Sequence, residues 1–145
     1  MKYKRFKIAK NFYLDEFVPE IIYKKFGIKS IWFIDKRIVE LAQFYRDYFG
    51  KGVTINTWFN GGKFSHRGFR VGNTVGATYS QHKYSRAFDS NISGITPNDV
   101  RKEIMKNEQL FMEKGLTTLE SGKIAKTWIH SDIRHTNMEN ILIVK

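Results

Sequence analysis

Four histidines and fourteen acidic side chains stand among 145 residues, and there is no cysteine. Any metal site must therefore be built from imidazole and carboxylate, and disulfides, thiolate sites and cysteine nucleophiles are excluded. Two stretches bring the right groups together. Ser80-Gln81-His82-Lys83-Tyr84-Ser85-Arg86-Ala87-Phe88-Asp89 carries a histidine and an aspartate, and Trp128-Ile129-His130-Ser131-Asp132 adds a second histidine. Two imidazoles and one carboxylate, with a fourth position left to water, form the ligand set of a catalytic zinc ion. Such an ion lowers the pKa of its water and polarises a carbonyl. Spacing alone does not separate this set from ordinary surface or hydrogen-bonded residues.

The elements that must position these groups follow from periodicity. Leu14 to Phe26, with Phe17, Ile21, Ile22 and Phe26, predicts a short helix ending at Gly27. Asp35 to Phe49 carries Ile38, Leu41, Ala42, Tyr45 and Phe49 at helical spacing before Gly50. Pro97 to Lys114 predicts a third helix, with Thr96 as N-cap, Asp99 in a capping-box-like turn and Gly115 as its stop. Strand-like patterns occupy Gly52 to Phe59, Leu116 to Glu120, Thr127 to Ile133 and Ile141 to Val144, with a turn at Ser121-Gly122-Lys123. Asn60 to Ser80, rich in Gly, Ser and Asn, reads as a long functional loop. Helices early and strands late predict one α+β domain, a small antiparallel sheet with helices packed on one side.

The context of the two motifs resembles the zinc D-Ala-D-Ala carboxypeptidase and L-alanyl-D-glutamate endopeptidase family, in its phage-type members. That family's signature is S-x-H-x-x-G-x-A-x-D followed downstream by W-x-H or H-x-D. Ser80, His82, Ala87 and Asp89 match the first part, and Trp128, His130 and Asp132 the second. Gly68-Phe69-Arg70, Asn73 and Gly76 look like the residues that precede the first zinc histidine. The resemblance spans about Val53 to Arg134, with a weaker echo in Asn11 to Phe17. It implies the hedgehog/DD-peptidase fold, Zn2+ as cofactor, and His82, Asp89 and His130 as its ligands. It also implies that Ser80 braces the His82 turn, that Asp132 orients a ligand, and that Arg70 holds a substrate carboxylate or carbonyl. The alternative for Arg70 is a loop arginine paired to an aspartate or to backbone. One departure stands out: Ser85 occupies the signature's glycine, which would strain the backbone if φ is positive there and would leave room for a degenerate site.

The general base is placed less directly. The family's acid three residues before the second zinc histidine is replaced by Thr127. A hairpin between Leu116–Glu120 and Thr127–Ile133 would set Glu120 opposite Thr127 or Trp128. The second register puts it on the face of His130, and a one-residue slip takes it away. The plain alternative is a turn glutamate paired with Lys123 or Lys126. His66 is expected on a solvent-facing loop and His135 at the periphery. Trp32 is expected in the core, with Trp58 and Trp128 flanking the site.

A formal charge of +11 suits polyanions without choosing among them. The resemblance favours peptidoglycan peptide stems and anionic cell-wall polymers, whereas no reading motif supports nucleic acid. No apolar run long enough to span a bilayer, and none that would serve as a signal peptide, is present. The expectation is a soluble protein, in the host cytoplasm before release or virion-associated if phage-encoded. Its expected activity is hydrolysis of wall peptide bonds, the alternative being a non-catalytic zinc-binding virion or wall-binding module.

Overall fold

A computed structural model of the chain describes residues 3–72 and 75–145. Four α-helices lie at Glu20–Phe26 (α1), Lys36–Phe49 (α2), Pro97–Lys106 (α3) and Glu108–Glu113 (α4). Five strands lie at Val53–Thr54 (β1), Ala87–Ile92 (β2), Thr118–Glu120 (β3), Ile129–Asp132 (β4) and Leu142–Val144 (β5). The fold class is α+β, as the sequence predicts.

α2 matches its pattern closely. Ile38, Leu41, Ala42 and Tyr45 are buried on one stripe, the Asp35 carboxylate caps the N-terminus by accepting from Arg37 N, and Gly50 closes the helix. The other two helices are shorter than expected. The first breaks into a 3-10 turn at Leu14–Glu16 and α1, because Pro19 holds the chain extended between them. The third breaks at Asn107, whose side-chain amide turns back to the carbonyl and carboxylate of Glu103 and competes with the helical ladder. Its start is as predicted, with the Thr96 hydroxyl accepting from Asp99 N at 3.1 Å.

The sheet runs β1-β2-β4-β3-β5, and it is mixed rather than antiparallel throughout. β4 is flanked by β2 and β3, both antiparallel to it, and β5 pairs at the outer edge of β3, where it runs parallel. The strand expected over Gly52–Phe59 shrinks to β1. Asn56 and Thr57 instead accept, with their side-chain oxygens, from Arg67 N and Phe64 N of the following loop.

The pleat divides β2 and β4 into two faces. Phe88 and Ser131 meet α2, where Tyr45 lies 5.4 Å from the Phe88 ring and its hydroxyl is 2.8 Å from Ser131 Oγ. Phe111 of α4 packs on the same tyrosine at 5.7 Å. α1 does not share this layer; Ile22 and Tyr23 belong to a second cluster with Leu14 and Val18. Trp58 packs there too, its indole donating to the Asp15 and Val18 carbonyls, so it braces this cluster instead of flanking the site. Trp32, expected in the core, is 76% exposed. The short 3-10 segment Gly27–Phe33 turns the ring outward.

The turn Gln81–Tyr84 joins the loop to β2. Ser80 Oγ accepts from His82 N at 3.3 Å, as expected of a brace. Ser85 ends the turn at φ 56, ψ 33, a left-handed conformation costing a non-glycine residue about 1 kcal/mol. Its hydroxyl offsets that cost by accepting from Asp35 N at 3.0 Å, which ties the turn to the start of α2. Ser85→Ala keeps the strain and loses the bond, and is expected to lower stability by about 1–2 kcal/mol. Ser85→Gly relieves the strain and should be less damaging by about 1 kcal/mol. Urea unfolding of both variants checks this, and equal midpoints for the two would remove the strain from the account.

Candidate metal centre

The other face of the same strands carries the polar groups. β2 and β4 pair with Asp89 opposite His130 and Ala87 opposite Asp132. His82 reaches the same point from the turn before β2. All three are buried: His82 is 2% exposed, Asp89 6% and His130 3%. Their facing atoms converge. His82 Nε2 lies 3.2 Å from His130 Nδ1 and 3.3 Å from Asp89 Oδ1, and His130 Nδ1 lies 3.0 Å from the same oxygen.

The remaining ring nitrogens fix the tautomers. His82 Nδ1 sits 2.9 Å from the Gly68 carbonyl, an obligate acceptor, so that nitrogen carries the proton. His130 Nε2 sits 2.8 Å from Asp132 Oδ2, a contact that fixes the orientation of the ring. Three lone pairs then point at one spot, a repulsive arrangement unless a cation fills it. Separations of 3.0–3.3 Å are the edges of a tetrahedron whose centre lies about 2.0 Å from each corner, the ordinary length of a metal–imidazole or metal–carboxylate bond. The His82–Asp89–His130 group is thus able to hold a metal ion, and these residues also pair with one another.

Without a metal, a proton takes that place. Burial would lower the pKa of His130, but the bonds to Asp132 and Asp89 overcome it and hold the imidazole at about 9. Asp89 moves the other way. Burial favours its neutral form, yet the neighbouring His82 and the bond to His130 keep it well below the usual carboxylate range.

A second ring of residues holds the first. Arg70 donates from Nη2 to Asp89 Oδ2 at 3.1 Å and from Nε to the His66 carbonyl at 2.7 Å. It therefore sits in the site as the paired loop arginine, its guanidinium spent on Asp89 and backbone. A Cβ at Gly76 would lie 2.6 Å from Arg70 Nη1, so glycine there makes room for the guanidinium. Gly68 has a stricter duty: a Cβ would collide with the Phe17 backbone, whose carbonyl accepts from Phe69 N at 2.7 Å. Glycine allows the loop to press against this segment while its carbonyl holds His82. Arg134, which the motif reading missed, grips Asp132 with Nε at 2.9 Å and Nη2 at 2.5 Å. Counting by twos along the chain from His130 would have found it. Asn73 lies outside the described residues.

A cleft of about 420 Å³ opens over these atoms, walled by Arg70, Glu120, Trp128 and Arg134. Glu120 is there by a register other than the expected one. Thr118 pairs with Asp132 and Leu119 with Ser131, and continuing that ladder brings Glu120 opposite His130 rather than opposite Thr127 or Trp128. Relative to Trp128 the difference is two residues, so the face is preserved. The cause is the connection: residues 121–128 lie between the strands, with Ala125 buried and its N–H bonded to the Ser121 carbonyl, so the loop consumes more residues than the expected pairing allows. Trp128 flanks the site as expected, its carbonyl held by Arg101 Nη1 at 3.0 Å. His66 and His135 are exposed. A smaller hollow of about 250 Å³ shares Arg70, Asp89 and Trp128 with the cleft and continues towards Phe64 and Arg67. A larger hollow of about 600 Å³ along α2 contains none of the metal-binding group.

Comparisons with protein-family models, with curated proteins and with solved structures find no match. Among the described residues no helix is long and apolar enough to cross a membrane.

Two outcomes follow from the geometry. A metal must displace the His130 proton, so affinity should fall as pH drops below about 9, and binding at pH 7 should release about one proton. The sign for the metal-free fold is opposite: the stabilisation from a raised imidazole pKa is complete below about 6.5 and is lost as pH rises through about 9. Zinc calorimetry in buffers of different ionisation enthalpy measures the released proton, and a heat independent of buffer would contradict the assignment. Asp132→Asn should weaken metal binding about 10–100-fold with the ligands intact. Competition with a chromophoric chelator reads this, and unchanged affinity would reduce Asp132 to a fold residue.

Proposed function

We propose that this chain is a zinc peptidase acting on the peptide stems of bacterial peptidoglycan. In this reading it is a phage-type member of the D-Ala-D-Ala carboxypeptidase and L-alanyl-D-glutamate endopeptidase family, with the hedgehog/DD-peptidase fold. The observation that carries the proposal is the convergence of His82 Nε2, His130 Nδ1 and Asp89 Oδ1 at the floor of a cleft that also holds Glu120. Two nitrogens and one oxygen at tetrahedral spacing suit zinc, which when bound would acidify a water and polarise the scissile carbonyl.

The chain's own groups supply the rest. Glu120, in the cleft wall and opposite His130 in the ladder, takes the proton of the attacking water. It returns that proton to the departing amine, so the carboxylate is regenerated as the C–N bond breaks. Arg70 fixes the orientation of Asp89. Asp132 and Arg134 hold the His130 ring by a chain of bonds. The hollows on either side of Asp89 and Trp128 would let a stem peptide lie across the site, which favours an internal bond over a terminal one. A net charge of +11 would draw the protein towards anionic wall polymers, by an attraction that salt weakens.

The test is digestion of purified peptidoglycan with mass analysis of the released peptides. Glu120→Gln should keep its zinc and lose at least about 100-fold in rate, the usual scale for a general base. His82→Ala should lose the metal as well. Digestion by Glu120→Gln at the parent rate would reject the base. Metal retention without release from any wall chemotype would support a binding module instead.

A further inference from the structure

The metal-site cleft uses Val75, Tyr79 and Ile124 among the exposed apolar side chains, but a denser group lies elsewhere. Five large apolar residues between positions 21 and 33 are open to solvent: Ile21 at 70%, Ile28 at 46%, Ile31 at 42%, Trp32 at 76% and Phe33 at 37%. Within α1 helical spacing brings Ile21, Lys24 and Lys25 to one side, and Gly27 then leaves the helix at φ 55, so Ile28 belongs to the segment that follows. In the 3-10 segment that follows, residues three apart stack over one another. Ile28 therefore lines up with Ile31, and Lys29 with Trp32, where Lys29 Nζ lies 5.6 Å from the ring. The result is a run of exposed apolar side chains, from Ile21 to Phe33, with exposed lysines set between them.

The charges of this surface are of one sign. Glu20 is taken by Lys24 at 2.7 Å, and Asp35 by Arg37 at 2.6 Å. Lys25 and Lys29 have no acidic partner among the described residues; they rest against the rings of Phe26 and Trp32. Branched aliphatic chains, an outward indole and uncompensated ammonium groups on one short amphipathic segment are what the boundary of an anionic lipid bilayer accommodates. The apolar chains enter the acyl edge, the indole sits at headgroup level, and the lysines meet the headgroup phosphates. A second copy of the chain would set the same lysines against each other. A glycan would stack on the ring and leave the isoleucines wet. Among the described residues no helix is long and apolar enough to span a membrane.

We infer that the Ile21–Ile28–Ile31–Trp32 face, with Lys25 and Lys29, docks this protein on the surface of an anionic membrane. Co-sedimentation of the full chain at 0.15 M salt, with vesicles of phosphatidylglycerol and phosphatidylcholine or of phosphatidylcholine alone, tests this. Binding should be confined to the anionic vesicles, with a blue shift of tryptophan emission. Ile21→Gln/Trp32→Ala should bind at least tenfold more weakly and lose the blue shift, and Lys25→Gln/Lys29→Gln should also weaken binding. All these side chains are exposed, and an unchanged thermal midpoint verifies that each variant is folded. Absence of binding, or binding of the Ile21→Gln/Trp32→Ala protein equal to the parent, would overturn the inference, the latter in favour of diffuse surface charge. Self-association without vesicles that this variant abolishes would overturn it in favour of a second copy.

Discussion

The rung in which Asp89 of β2 faces His130 of β4 is the constraint on which the centre depends. It is one step of a ladder whose neighbouring step, Phe88 against Ser131, is clamped from behind by Tyr45. Because successive residues point to opposite faces, seating Phe88 in the helical layer drives Asp89 into the polar layer. A slip of one residue would put a carboxylate under α2 and a phenylalanine at the centre, losing on both sides at once. The packing of apolar groups thus aims the polar ones.

That arrangement also concentrates electrostatic tension in a small volume. Three acceptors face each other at 3.0–3.3 Å, buried from water. The surrounding groups prevent them from turning away: Gly68 holds one ring, Asp132 the other, and Arg70 the carboxylate. A cation relieves the tension, whether proton or metal, and the competition between them makes the site sensitive to pH. The same preorganisation that would favour a metal also makes the metal-free state carry an imidazolium at neutral pH.

The described residues of the loop 61–80 and the turn after it are tied to distant segments by specific contacts. Phe69 N meets the Phe17 carbonyl, Arg70 N meets the His82 carbonyl, and Asp89 N meets the Arg67 carbonyl. Ser85 and Asp35 bind the turn to α2. These bonds bring Phe17, far from His82 and His130 in sequence, beneath the loop: its backbone is the floor against which Gly68 rests. They also show how serine can stand at a left-handed position without breaking the turn, since its hydroxyl has a partner that glycine would lack.

The sequence by itself determined the donor atoms, the helix signals at Asp35, Gly50 and Thr96, and the strand alternation that sets His130 and Asp132 on one side. Those features are local, written in residue type and in periods of two and 3.6. It also placed Glu120 near the site, but by the wrong rung. Register depends on how many residues the connecting loop consumes, and the burial of Ala125 has no local signature. Tertiary structure alone decided that β5 pairs parallel with the outer edge of β3, since pairing partners distant in the chain leave no local pattern. It alone decided that Trp32 faces solvent while Trp58 is bonded inward. It alone gave Arg70 to Asp89 and Arg134 to Asp132, since a guanidinium can serve several acceptors and distance chooses which.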